Sequence, residues 1–296
     1  MHLKFHVMFI ILISLTIEFP AFAQEPIERR LDRIEAKLDT LLAYHRSKVP
    51  SGISENTISD SLNLLWGMTS RKGTLLDKRY FVINHDNSLK IPYWVAYHLS
   101  VVDLQGTAER EEDFRPDPQL PLGSRSELAD YSHSGYDRGH NAPAADFKRS
   151  LEAMSETFLL SNMSPQTPEL NRRIWSTLEG QVRDLVRIDG EAWIVTGNIF
   201  MSTDSQCVNP TEFIGENRVA VPTHCFKVVL SKRADGTFMM YAFLIPNQRE
   251  HISGTPADYI LTVDRVETIT KYDFFPDLDD SLENSLESTV PDVWPR

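Results

Sequence analysis

Six short runs rich in aromatic and β-branched residues limit what this chain can fold into: RYFVIN (79–84), YWVAYHL (93–99), TFLLS (157–161), AWIVTGNI (192–199), CFKVVLS (225–231) and FMMYAFLIP (238–246). Each has the length and the side chains of a strand. Helical stretches alternate with them, and one is unusually well signed. Thr167 can cap a helix, Pro168 suits its first turn and Gly190 marks its exit, so a helix of about 20 residues is expected there. The core is therefore mixed α+β. No period of 20 to 50 residues recurs, which excludes repeat architectures.

The signed helix has an asparagine where an apolar residue belongs. On a helical wheel Asn171 falls in the middle of the stripe formed by Ile174, Trp175, Leu178, Val182, Leu185 and Val186. A buried amide without a partner costs about 1–3 kcal/mol, so backbone, a buried water or a cation must satisfy it. Glu179 and Arg183 border the stripe as an i,i+4 pair that can touch. Upstream lie Asn162 and the tetrad Asp137-Arg138-Gly139-His140. Together these residues offer a neutral oxygen ligand, a carboxylate to hold water, guanidiniums and an imidazole. A hard divalent ion such as Mg²⁺, which prefers oxygen ligands and keeps several waters, suits that set.

The rest of the chain sets the context. Residues 1–23 read as an export signal: Lys4 precedes the apolar run Val7 to Ile17, and Ala21-Phe22-Ala23 closes it. The run is too short for a membrane span, which needs about 20 residues. The expected location is periplasmic or secreted, with no membrane span after cleavage. Ile27, Leu31, Ile34, Leu38 and Leu41 then form a seam of period 3.5, so 24–46 is expected to be an amphipathic, coiled-coil-like helix that makes the protein a homo-oligomer. Residues 47–57 read as a linker, 58–280 as the catalytic domain and 281–296 as an acidic tail that frays. Cys207 and Cys225 would be free to pair as a disulfide in an oxidising compartment; the alternative is two small buried apolar residues. The formal net charge of -12 excludes gripping nucleic acid by bulk charge, so any polyanion site must be local.

The tetrad followed by Ala142-Pro143-Ala144, then Ser161-Asn162-Met163-Ser164-Pro165-Gln166, Leu170-Asn171 and Leu178-Glu179, resembles the DNA/RNA non-specific endonucleases of the ββα-metal superfamily, in order and in spacing. RPDP (115–118), GENRVAVPTH (215–224) and YDFFPDL (272–278) are similar too, so the resemblance spans roughly residues 60 to 280. It implies a central, mostly antiparallel sheet flanked by helices. It also implies cleavage of DNA and RNA without sequence preference, leaving 5′ phosphates. By the same resemblance His140 is the general base, Asn171 the ligand of one Mg²⁺ (Mn²⁺ being the other candidate) and Glu179 a ligand through water. Asn162 supports the histidine or the metal shell. Arg138, Arg183 and Arg172 contact substrate phosphate, and Arg110 falls near a further catalytic arginine. Asn141 departs from the family's apolar residue after the histidine. Two other functions fit the same sequence: an exported nucleic-acid-binding or oligomeric scaffold with weak catalysis, and a phosphodiesterase acting on small nucleotides.

Overall fold

The computed structural model describes residues 62–70, 72–202 and 206–295. The signal, the coiled-coil-like segment and the linker lie outside the described residues. Seven strands form one sheet: β1 (Thr74–Asp77), β2 (Val82–Asp86), β3 (Ile91–Ser100), β6 (Glu191–Ile199), β9 (His224–Lys232), β10 (Phe238–Pro246) and β11 (Ile260–Leu261), in that spatial order. Every neighbouring pair is antiparallel. Two small hairpins stand apart, β4 (Asp137–His140) with β5 (Met163–Gln166), and β7 (Phe213–Ile214) with β8 (Val219–Ala220). The helices are α1 (Leu128–Tyr131), α2 (Leu151–Glu156), α3 (Ser176–Asp189), α4 (Val263–Thr270) and α5 (Asp280–Glu287).

The central strands read as continuous apolar runs because both of their faces are covered. Side chains alternate across a strand. Val95, Tyr97, Ile194, Val229, Tyr241 and Phe243 therefore pack with Trp175, Leu178, Val182 and Val186 of the long helix on one face. Trp94, Ala96, Trp193, Val195, Val228, Leu230 and Ala242 meet Val263, Val266 and Ile269 of α4, with Phe274 and Phe275, on the other. Each fully buried large side chain stabilises by roughly 1.5–3 kcal/mol, so both layers contribute to holding the sheet between them.

Five of the six expected strands form, with boundaries shifted by a few residues at most. TFLLS does not. Thr157, Phe158, Leu159 and Leu160 are buried but lie in a turn that enters a short 3₁₀ segment, Leu160–Asn162. Their apolar character serves packing under the site, where Phe158 is fully buried. The segment expected to fray folds as well. Asp279 caps α5 through its side chain, and Trp294 packs at 4.9 Å from Tyr241 and 4.7 Å from Phe243, donating its indole N–H to Gln181 of α3. The disulfide expectation is overturned. Cys207 and Cys225 are both free thiols: Cys225 is buried beside Gln166 and Asn198, while Cys207 is exposed and donates to the Ile269 carbonyl. No helix among the described residues is long and apolar enough to cross a membrane.

Candidate active site

The DRGH tetrad is the whole of β4, paired residue for residue with β5, His140 opposite Met163 and Asp137 opposite Gln166. Gly139 sits where the Gln166 side chain crosses the strand, and a Cβ there would lie 2.2 Å from it, so only glycine fits. Arg138 and His140 flank Phe114. The guanidinium stands 4.0 Å above the ring centroid and the imidazole 5.7 Å from it. Phe158 meets the imidazole edge-on at 5.0 Å and carries Arg110 at 5.1 Å from its own centroid. Aromatic packing thus fixes the imidazole between two guanidiniums.

His140 is only 8% exposed, and its Nε2 is sealed without a hydrogen-bond partner among the described residues. Burial, then Arg110, then Arg138 push its pKa down to about 3, so the ring is neutral and can accept a proton. The segment after it is held by Asn162, whose amide is fully used. Oδ1 accepts from the Ala142 N–H at 2.9 Å, and Nδ2 donates to the carbonyls of Ala142 at 2.9 Å and Thr157 at 2.8 Å. Of the two roles open to Asn162, the geometry favours supporting the histidine. Asn141 donates to the Asn162 carbonyl and to Ser164 Oγ, which accommodates a polar residue in a buried position.

Asn171 is positioned by a device the sequence did not reveal. Thr167 accepts from the Leu170 N–H as the expected cap, but Leu170–Trp175 then runs as a π-helical turn before α3 begins. Wider winding changes the angular phase of this stretch relative to α3, moving Asn171 off the middle of the apolar stripe to a half-buried position. Its Nδ2 donates to Asp137 at 2.9 Å. Arg172 grips the same carboxylate with Nε at 2.8 Å and Nη2 at 2.6 Å. Burial works to raise the Asp137 pKa, but these hydrogen bonds outweigh it and hold the group below the ordinary carboxylate range. Since the amide N–H is committed to Asp137, the amide oxygen is turned the other way and takes no donor among the described residues. That oxygen fits a hard cation.

The carboxylate of Glu179 likewise has no hydrogen bond or ion pair among the described residues. Burial pushes its pKa up, against the attraction of Lys227. Arg183 does not touch it. Arg183 turns to Asp146 at 2.9 Å, and Asp146 also accepts from the Tyr97 hydroxyl at 2.9 Å. Lys227, fully buried on β9, donates to Thr196 Oγ1 at 2.6 Å and lies 5.1 Å above the Trp175 ring. Burial lowers its pKa. Asp146 and Lys227 were not anticipated. The available signal was a lone lysine inside an otherwise apolar strand and an acid closing the motif's AAD turn.

The structure brings His140, Arg138 and Arg110 together around Phe114 and Phe158. Arg110 also links the two halves of the site, because its charge acts on both His140 and Glu179. Beside it opens a pocket of about 440 Å³ lined by Arg110, Lys148, Ala144 and Met154, among others. Arg172 and Arg183 each spend donors on an acid. Arg138 has no ion pair among the described residues, and half-exposed Arg110 has only a 3.6 Å contact with Glu112. These two are the guanidiniums best placed for a phosphate.

Comparison with known proteins identifies the family. The family model of the DNA/RNA non-specific endonucleases matches residues 67–281. The chain is 35% identical to a nuclease of Syncephalastrum racemosum, over 77% of this chain and 75% of that protein. A nuclease of a Nostoc species is also 35% identical, over 83% and 91% of the two chains, and human mitochondrial endonuclease G is 33% identical over 69% and 70%. The solved EndoG/EndoGI complex, a structure of EndoG inhibition, superimposes with a TM-score of 0.69 at 29% identity, covering 76% of this chain and 95% of that one. The chain is a nuclease and belongs to the DNA/RNA non-specific endonucleases, a family that works with a divalent metal ion.

Proposed function

We propose that this nuclease is an exported, Mg²⁺-dependent enzyme that hydrolyses phosphodiester bonds of both DNA and RNA and leaves 5′ phosphates. The observation that carries the reading is the buried neutral imidazole set between Arg138 and Arg110. The His140 imidazole takes a proton from the attacking water as its oxygen bonds to phosphorus and the bond to the 3′ oxygen breaks. General-base help of this kind accelerates by about 10²–10⁴-fold. Arg138 and Arg110 pair with the non-bridging oxygens. Asn171 would hold the ion through its amide oxygen and Glu179 through water, and the ion would supply charge stabilisation at the phosphate and the leaving oxygen. Asp137 orients the Asn171 amide. None of these groups reads a base edge or requires a 2′ hydroxyl, which supports indifference to sequence and sugar.

Plasmid nicking tests the assignment. With Mg²⁺ the protein should linearise and fragment supercoiled DNA and degrade single-stranded RNA. EDTA should stop both, and His140→Ala should lower the rate by at least 100-fold. A mutant that cuts at the wild-type rate would remove His140 from the chemistry, and cleavage confined to DNA would refute sugar indifference.

A further inference from the structure

On the face of the sheet opposite α3, the stretch from α4 to α5 gathers acids, and its two bases, Arg265 and Lys271, form no ion pair with them among the described residues. Carboxylate oxygens of Asp264, Glu267 and Glu287 lie within 4.8 Å of one another, and so do those of Asp273, Glu283 and Glu287. Glu287 belongs to both sets and is the innermost, only 7% exposed. Its Oε1 is sealed from solvent with no hydrogen-bond partner among the described residues, and the same holds for Oε1 of Glu283. One Glu267 oxygen accepts from the Phe274 N–H at 2.7 Å. None of the five acids forms an ion pair with a lysine, arginine or histidine among the described residues.

Like charges this close, partly withdrawn from water, repel strongly unless something positive lies between them. Among the described residues no basic side chain supplies it, and Glu287 shares a hydrogen bond with Glu267. We propose that the cluster is a structural site for a calcium-class divalent cation, with Glu287 as the shared central ligand, separate from the catalytic ion. Calcium takes six to eight oxygens in a flexible arrangement, which suits carboxylates drawn from two helices and the connecting loop. A bound ion would tie α5 to α4 over the apolar layer of Val263, Val266, Phe274 and Leu278. The competing way to relieve the repulsion is proton uptake: burial and the neighbouring acids push Glu283 up to about 7 and Glu287 up to about 8.

The test is thermal unfolding of the EDTA-stripped full chain at pH 8, with and without 1 mM Ca²⁺. Saturation of such a site should raise the midpoint by about 5 °C. Asn171→Ala, which removes the other metal ligand, should show the same shift, whereas Glu287→Gln should lose it. Asp273→Asn changes only an exposed ligand and should need several-fold more Ca²⁺ for the same shift, which guards against a Glu287 variant that fails to fold. The proposal is overturned if Ca²⁺ leaves the wild type unmoved at pH 8 while acidification alone stabilises it. It is equally overturned if both cluster variants keep the wild-type response.

Discussion

Asp137 shows how a residue can matter without reacting. It holds the Asn171 amide and Arg172 at once and so decides which way the amide oxygen faces. His140 and Asn171 were legible as residue types, because an imidazole in DRGH and an amide in an apolar stripe both demand explanation. The setting of His140 was legible for Arg110, which the resemblance placed near a further catalytic arginine, but not for Phe114, whose packing against the imidazole no motif or periodicity signals. That setting has a measurable effect. A general base acts when neutral, and a histidine held down to about 3 stays neutral well below the usual 6.5. The acid limb of kcat/KM should therefore show no inflection near pH 6.5 and stay level to about pH 5. Arg110→Gln removes one of the charges that depress the histidine and should move the limb upward. A wild-type inflection near 6.5, or a limb indifferent to this substitution, would contradict the picture. The same sign governs stability: His140 contributes fully above pH 6.5, and its contribution is lost as pH falls toward about 3.

At the scale of elements, the sequence marked the long helix well because caps and Gly190, at φ 113°, are local signals. It could not show the π-helical turn. An extra residue per turn is tolerated only where tertiary contacts hold it, here Leu170, Ile174 and Trp175 in the core and Asn171 on Asp137. β4 and β5 were illegible for another reason. DRGH and MSPQ carry Gly, Pro and Asp against strand propensity, and only their pairing beneath the site makes them strands. The π turn gives a sharp prediction. Deleting Arg173 should let this stretch wind as ordinary α-helix, rotate Asn171 by about 100° away from Asp137 and lower kcat/KM by at least 100-fold. Far-ultraviolet circular dichroism should remain that of a folded protein. Full activity in the deletion would show that the turn does not aim the amide.

Across the whole molecule, the sheet separates two jobs: the long helix and the candidate site cover one face, and α4 with α5 covers the other. The α+β class followed from the apolar runs, but the topology did not, because run order cannot reveal that β6 pairs with both β3 and β9. Against the acidic net charge, two guanidiniums, those of Arg110 and Arg138, stand beside His140. Self-association belongs to this scale as well. Light scattering of the mature protein should give a multiple of the monomer mass that falls to one when residues 24–46 are removed, and an unchanged mass would end the seam hypothesis.

Trp294 extends this reasoning beyond the reaction centre. Its indole braces Gln181 on the helix that carries Glu179, and its ring rests on Tyr241 and Phe243. Extracting a buried tryptophan costs about 3–5 kcal/mol. A protease nick ahead of this ring would therefore slacken the scaffold of the site from a distance, silencing the nuclease while every group that meets phosphorus stays chemically intact.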